Sequence, residues 1–356
     1  MKLGLGLYRS LLNDSNFRFA RQAGATHIVA QLVDYVKGGD SPSLTRNYLG
    51  GWGITENEGK LWTYEELLAL RKQVEAHGLT LAAIENFDPA HWYDILLDGP
   101  KKARQMEDIK ATIRNVGRAG IPVMGYYFSL AGVWGWTSRT SGRGQAPSVE
   151  FDQDAVDLRS PIPNGMVWNM TYDTQAPAGV VGPVSREEMW ERLNYFLSEL
   201  LPVAEENGVK LAAHPDDPPV PELRGTARLF YQAGEYERLM EASDSPANVF
   251  EFCMGTLQEM QGSDIYALLD KYSALGKIGY IHFRNVKGKV PHYREAFVDE
   301  GDIDMIRALR ILKNNGYEGV LIPDHTPEMS CNAPWHAGMA FALGYMRGAM
   351  QAIGSE

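Results

Sequence analysis

Short apolar runs alternate with longer segments whose apolar residues recur every three or four positions, and the alternation repeats eight times. The short runs are rich in Val, Ile, Leu and Phe, which predicts strands at Leu3–Tyr8, His27–Leu32, Leu79–Glu85, Val123–Phe128, Val209–His214, Val249–Cys253, Ile278–Arg284 and Val320–Pro323. The longer segments predict helices over Asn13–Ala23, Thr63–Ala76, Lys101–Ala119, Ser185–Glu206, Ala227–Glu241, Ser263–Leu275, Asp302–Asn315 and Pro334–Ala352. Several of them end on a glycine just ahead of the next strand, as in QAGATHIV, EAHGLTLAA and ENGVKLAA. A glycine there accepts the left-handed conformation that stops a helix and turns the chain back.

Strict strand–helix alternation favours a parallel sheet, and eight is the number of strands that closes a (β/α)8 TIM barrel. The expected architecture is therefore one α/β barrel domain spanning residues 1–356. An open doubly wound sheet is the competing arrangement, but no G-x-G-x-x-G turn follows the first strand. Three connections are long and irregular: 34–60, 86–100 and the Gly/Ser/Pro/Trp-rich stretch 129–184. All three follow strands, which in a barrel puts them on the rim where active sites are built. Trp134, Trp136, Arg139 and Arg143 mark 129–184 as a lid-like insertion after the fourth strand.

Composition narrows the function class. The net charge is −11, from 34 basic and 45 acidic residues, which speaks against a nucleic-acid or anionic-membrane surface. Two cysteines cannot form a disulfide framework, and neither a signal peptide nor a membrane span is legible. The expectation is a cytoplasmic protein acting on a small molecule, with a homo-oligomer compatible with the sequence.

Four residues with metal-binding side chains sit at the ends of the last four strands: His214 closing VKLAAH, Cys253 closing NVFEFC, His282 in IGYIHFR, and Asp324 after GVLIP. About one βα unit separates each from the next, so neighbouring strands would bring them to one point at the catalytic end of a barrel. Two imidazoles, a thiolate and a carboxylate complete a shell for a transition metal. Taken singly, each has an ordinary alternative: Cys253 as core packing, either histidine as a core residue bonded to backbone, Asp324 as a helix or turn cap.

Other chemistry gathers around them. Arg284 lies two residues past His282, on the same strand face, where its guanidinium suits a substrate carboxylate better than a surface ion pair. His325 follows Asp324 and has an acidity suited to proton transfer, with a structural role as the alternative. In HPDDPP, prolines stiffen a loop carrying Asp216 and Asp217, either of which suits a ligand or sugar hydroxyls if the pair is not merely a solvated turn. His292, Tyr293 and Glu295 follow the seventh strand within reach of the same pocket. Cys331 and His336 follow the eighth in SCNAPWH.

The motif series IENFDPAHWYDILL, LAAHPDDPP, FEFCMGT, IHFRNVKG, YREAFVDEGDIDM and GYEGVLIPDHTPEM resembles the mannonate dehydratases, metal-dependent sugar-acid lyases with a barrel like that of xylose isomerase. The resemblance runs in order from about residue 80 to the C-terminus. It implies that His214, Cys253, His282 and Asp324 bind one divalent metal, Mn2+ or Fe2+, that His325 transfers protons and that Arg284 contacts the substrate. The chain departs from the family in two places. Segment 129–184 is longer and richer in glycine, and where the family carries a tyrosine in a proline-glycine-tyrosine context, PWH places His336.

The implied reaction is loss of water from an aldonic acid such as D-mannonate, giving 2-keto-3-deoxy-D-gluconate. His325 would take one proton-transfer role and His336, Tyr293 or a metal-bound water the other. Asp216 and Tyr293 are further candidates for substrate contact. The alternatives are a sugar isomerase or epimerase of the same barrel class, and a non-catalytic barrel that binds sugar acids.

Overall fold

The computed structural model describes residues 1–35, 53–55 and 60–355. Most of the irregular stretch at 34–60 lies outside the described residues. Eight parallel strands close into a barrel: β1 (Lys2–Leu7), β2 (His27–Gln31), β3 (Thr80–Glu85), β4 (Val123–Tyr126), β5 (Lys210–Ala213), β6 (Asn248–Cys253), β7 (Ile278–His282) and β8 (Val320–Ile322). Closure comes from β8 pairing with β1, Val320 beside Lys2 and Leu321 beside Leu3. Each strand is followed by a principal helix: α1 (Asp14–Gln22), α2 (Tyr64–Glu75), α3 (Lys102–Arg118), α4 (Arg186–Glu206), α5 (Gly234–Glu241), α6 (Ile265–Ala274), α7 (Met305–Asn314) and α8 (Pro334–Ala352).

Local chemistry sets these boundaries. Thr63 and Ser185 begin α2 and α4 with reciprocal capping boxes to Glu66 and Glu188. The helices before β3 and β5 stop at Gly78 and Gly208, with φ of 68° and 66°, a backbone region that costs glycine little. Apolar helix faces pack on the outside of the barrel. Inside it, Val29, Ala82, Val123, Ala212, Val249 and Tyr280 belong to a separate buried cluster.

The helix expected over Ala227–Glu241 is shorter, running only from Gly234. The preceding residues serve a loop instead. Leu229 and Phe230 donate their main-chain N–H groups to Asp216 at 2.8 and 2.6 Å, and buried Arg228 pairs with the same carboxylate. A carboxylate satisfied by two main-chain donors and a guanidinium overrides helical periodicity.

Segment 129–184 builds secondary structure over the barrel mouth. Its strands Trp136–Arg139 and Ser148–Asp152 pair antiparallel with each other. Ser148–Asp152 also pairs with His292–Ala296, which in turn pairs with Asn285–Lys289, making a four-stranded sheet with the hairpin after β7. Among the described residues no helix is long and apolar enough to cross a membrane.

Candidate active site

Register alone brings the central side chains together. Cys253 at the end of β6 pairs with His282 at the end of β7, and His282 pairs with Ile322, two residues before Asp324. His214 follows directly on β5. Donor atoms of His214, Cys253 and His282 all lie within 4.8 Å of one another. Asp324 joins them through His282, with Oδ2 3.2 Å from Nδ1. Asp324 holds a φ of 58°, in the left-handed region that aspartate enters more readily than most residues with a Cβ.

This donor set suits a metal ion. His214 Nδ1 lies 2.6 Å from the Pro215 carbonyl oxygen, which commits that nitrogen to the main chain and leaves Nε2 for a ligand. His282 is held from behind, its Nε2 3.1 Å from Glu251 Oε1 and 3.3 Å from Glu85 Oε2, while its buried Nδ1 faces Asp324. Burial opposes ionisation of the Cys253 thiol, but Arg284 and the two imidazoles outweigh it and hold the group well below its ordinary range. Burial likewise opposes the charge on Asp324, and His282 and His325 drive its pKa down despite it. A thiolate and a carboxylate facing two imidazoles are ready-made ligands for a divalent cation.

Glu85 and Glu251 were not apparent as site residues in the sequence. Both are buried, and Gln31 donates to Glu85 at 3.0 Å. Burial, then the charge of Glu251, push Glu85 up to about 7. Room for Glu251 comes from Gly125, where a Cβ would stand 2.5 Å from the Glu251 carboxylate. Two cues were available: Glu85 ends its strand, and Glu251 lies two residues before Cys253, hence on the same face.

His214, His282, Asp324 and His325 line one cleft, together with Tyr8, Glu85, Trp136, Trp168 and Asp217. His325 turns Nδ1 to buried Glu295 and holds Nε2 3.3 Å from Asp324 Oδ2. Its ring meets Trp136 edge-on, with centroids 5.5 Å apart. Burial alone would lower its pKa, but the carboxylates of Glu295 and Asp324 dominate and raise it.

Four expectations need correction. Asp216 does not face the cleft, because Arg228, Leu229 and Phe230 occupy it; its neighbour Asp217 lines the wall instead. His336 is outside the cleft, its Nε2 2.9 Å from Asn16 Oδ1 and its ring packed against Phe19 and Trp335. Tyr293 stands one layer behind the wall, donating to Asp217 Oδ1 at 2.7 Å and accepting from Trp136 Nε1 at 2.9 Å. Arg284 reaches the cleft, but its terminal nitrogens are taken by Asp217 at 2.6 Å and Glu259 at 2.9 Å, with Nε 3.5 Å from Asp324. The two-pronged grip expected for a substrate carboxylate is thus made on protein carboxylates.

Of the four residues that marked 129–184, Trp136 lines the cleft. Trp134 packs under Arg224, while Arg139 and Arg143 pair with Glu150 and Asp299. Exposed His292 pairs with Asp152, and exposed Cys331 is a free thiol.

Comparison with known proteins agrees with this geometry. Residues 16–356 match the family model for D-mannonate dehydratase (UxuA). Mannonate dehydratase 2 of Halalkalibacterium halodurans is 31% identical over 279 residues, covering 75% of this chain and 79% of the relative. Mannonate dehydratase of Thermotoga maritima is 32% identical over 288 residues, covering 75% and 78%. The crystal structure of mannonate dehydratase from Streptococcus suis superposes with a TM-score of 0.77 at 27% identity, over 99% of this chain and 93% of that one. D-psicose 3-epimerase from Clostridium cellulolyticum, with a TM-score of 0.58 at 12% identity over 98% and 99%, shares the fold. The chain belongs to the D-mannonate dehydratase family, and it is a hydro-lyase built on a TIM barrel.

Proposed function

We propose that this chain removes water from D-mannonate, giving 2-keto-3-deoxy-D-gluconate, with one divalent cation held by His214, Cys253, His282 and Asp324. The observation that carries the reading is one cleft lined by His214, His282 and Asp324, with Cys253 clustered against the two imidazoles, and by a carboxylate-anchored imidazole, His325. Mn2+ or Fe2+ is the ion that the resemblance to the mannonate dehydratases implies, and a mixed nitrogen, sulfur and oxygen set suits a first-row transition metal. When bound, the cation supplies positive charge that stabilises the anion formed as the proton α to the substrate carboxylate is lost.

The residues supply the rest. Glu295 fixes the His325 ring through Nδ1, leaving Nε2 in the cleft as the base for the C2 proton. Arg284 adds fixed positive charge at the wall and orients Asp217. Trp136 and Trp168 line the cleft with apolar surface that limits bulk water at the reacting carbons. Isomerase or epimerase activity is not favoured, because the neighbours of those classes are 10–14% identical to this chain and share only its fold.

The test is turnover by protein reconstituted with Mn2+ or Fe2+, given a panel of aldonic acids beside neutral ketoses. Formation of an α-keto acid from D-mannonate supports the proposal. Interconversion of ketoses without α-keto acid, or ligand-induced stabilisation without turnover, contradicts it.

A further inference from the structure

Loss of water needs a second proton-handling group, because a C3 hydroxyl leaves poorly unless it is protonated as its bond breaks. His336 does not supply it, since it is turned to Asn16 and lies outside the cleft.

Three tyrosines line the cleft: Tyr8, Tyr35 and Tyr127. The Tyr127 hydroxyl receives Arg228 and is engaged with main-chain groups of Gly132 and Asp217. Tyr35 accepts from Asn86 at 3.2 Å. The Tyr8 hydroxyl has no hydrogen-bond partner among the described residues, and Tyr8 is only partly buried. Its position follows from the closure of the barrel. Leu3 pairs with Leu321, so the ends of β1 and β8 rise side by side, and Tyr8 continues the chain past β1 with extended torsions, φ −63° and ψ 156°. Tyr8 thus leaves the barrel next to Asp324 and His325 and turns into the cleft they line. Its ring stands edge-on to Tyr35, with centroids 6.2 Å apart.

We propose that Tyr8 is the catalytic acid that protonates the departing C3 oxygen. This rests on the dehydration reading above. As His325 Nε2 takes the C2 proton, the C–H electron pair becomes the C2–C3 double bond. The C3–O bond breaks with its own pair, and the Tyr8 phenol proton joins that oxygen, so the leaving group is water. The enol then becomes the ketone: its hydroxyl proton returns to the Tyr8 phenolate, directly or through solvent, and the proton on His325 is delivered to C3.

The experiment compares Tyr8→Phe with the unmodified protein, both loaded with Mn2+, on D-mannonate and on 3-deoxy-3-fluoro-D-mannonate. Fluoride departs without a full proton transfer, so the fluoro compound relieves the need for an acid. Expected is a fall in kcat of about 100-fold or more on D-mannonate, with fluoride release within a few-fold of the unmodified protein. Metal content and stabilisation by D-mannonate in a melting assay should be unchanged. Near-normal turnover of D-mannonate by the variant overturns the assignment, as does equal loss on both substrates. Lost metal or lost stabilisation by D-mannonate also overturns it, by making Tyr8 structural. Inactivity of the unmodified protein on both compounds instead refutes the dehydration reading, and the role of Tyr8 with it.

Discussion

Arg284 and Asp217 form a buried ion pair, Nη2 to Oδ2 at 2.6 Å, in the wall of the cleft. With Glu259 on the other terminal nitrogen and Thr256 Oγ1 2.9 Å away, one guanidinium balances two buried carboxylates beside the proposed metal ligands. Arg284→Met leaves those carboxylates buried without their counter-charge. Loss of one partner of such a network costs about 3–5 kcal/mol, so the expected outcome is that much loss of unfolding free energy in a denaturant titration. A loss below about 1 kcal/mol, with only KM for D-mannonate raised, would mean Arg284 serves the substrate rather than the fold.

Cys253→Ser replaces a thiolate by a hydroxyl that stays protonated at neutral pH. Removing even an outer partner of a metal ligand costs about 10- to 100-fold in affinity, so the variant is expected to lose at least that much, read by competition with a chelator. Unchanged affinity would remove Cys253 from the ligand set.

His325→Asn keeps a polar group of similar size beside Glu295 but removes the base. Metal content and melting temperature are expected to hold while kcat falls by about 10²–10⁴. Steady-state kinetics on D-mannonate with metal analysis of the same sample checks both halves.

His27, at the start of β2 and 2.7 Å from Thr26 Oγ1, gives a pH dependence remote from the cleft. Partial burial, then the charge of Lys2, lower its pKa from 6.5 to about 4. Between those values the unfolded chain binds a proton that the folded chain refuses. The contribution of His27 is therefore fully present above pH 6.5 and declines as pH falls towards 4. The ring is only partly buried, so the loss is about 1 kcal/mol after discounting for solvent screening. His27→Gln is expected to flatten unfolding free energy between pH 6.5 and 4 by that amount; an unaltered slope would place the titration elsewhere.

The barrel and the convergence of His214, Cys253, His282 and Asp324 were legible because both follow from regular spacing. A strand end recurs once per βα unit, and neighbouring strands meet at one rim. What regular spacing does not encode was missed. Asp216 and Asp217 are adjacent in a proline-bound turn, and only folding decides that the first faces Arg228 and the second the cleft. His336 sits at the start of α8, where helix orientation turns it to Asn16. Glu85 and Glu251 read as polar interruptions of apolar strands until closure of the barrel places both behind His282. Tyr8 reads as the last residue of a strand; its role emerges only once β1 is seen beside β8.

X-ray absorption at the metal edge of the loaded protein probes the shared cation most directly. The expected spectrum shows one sulfur among nitrogen and oxygen neighbours, with imidazole scattering from two rings, and Cys253→Ser removes the sulfur. A shell without sulfur in the unmodified protein, or no stoichiometric metal after loading, would contradict a cation held between β5, β6, β7 and β8.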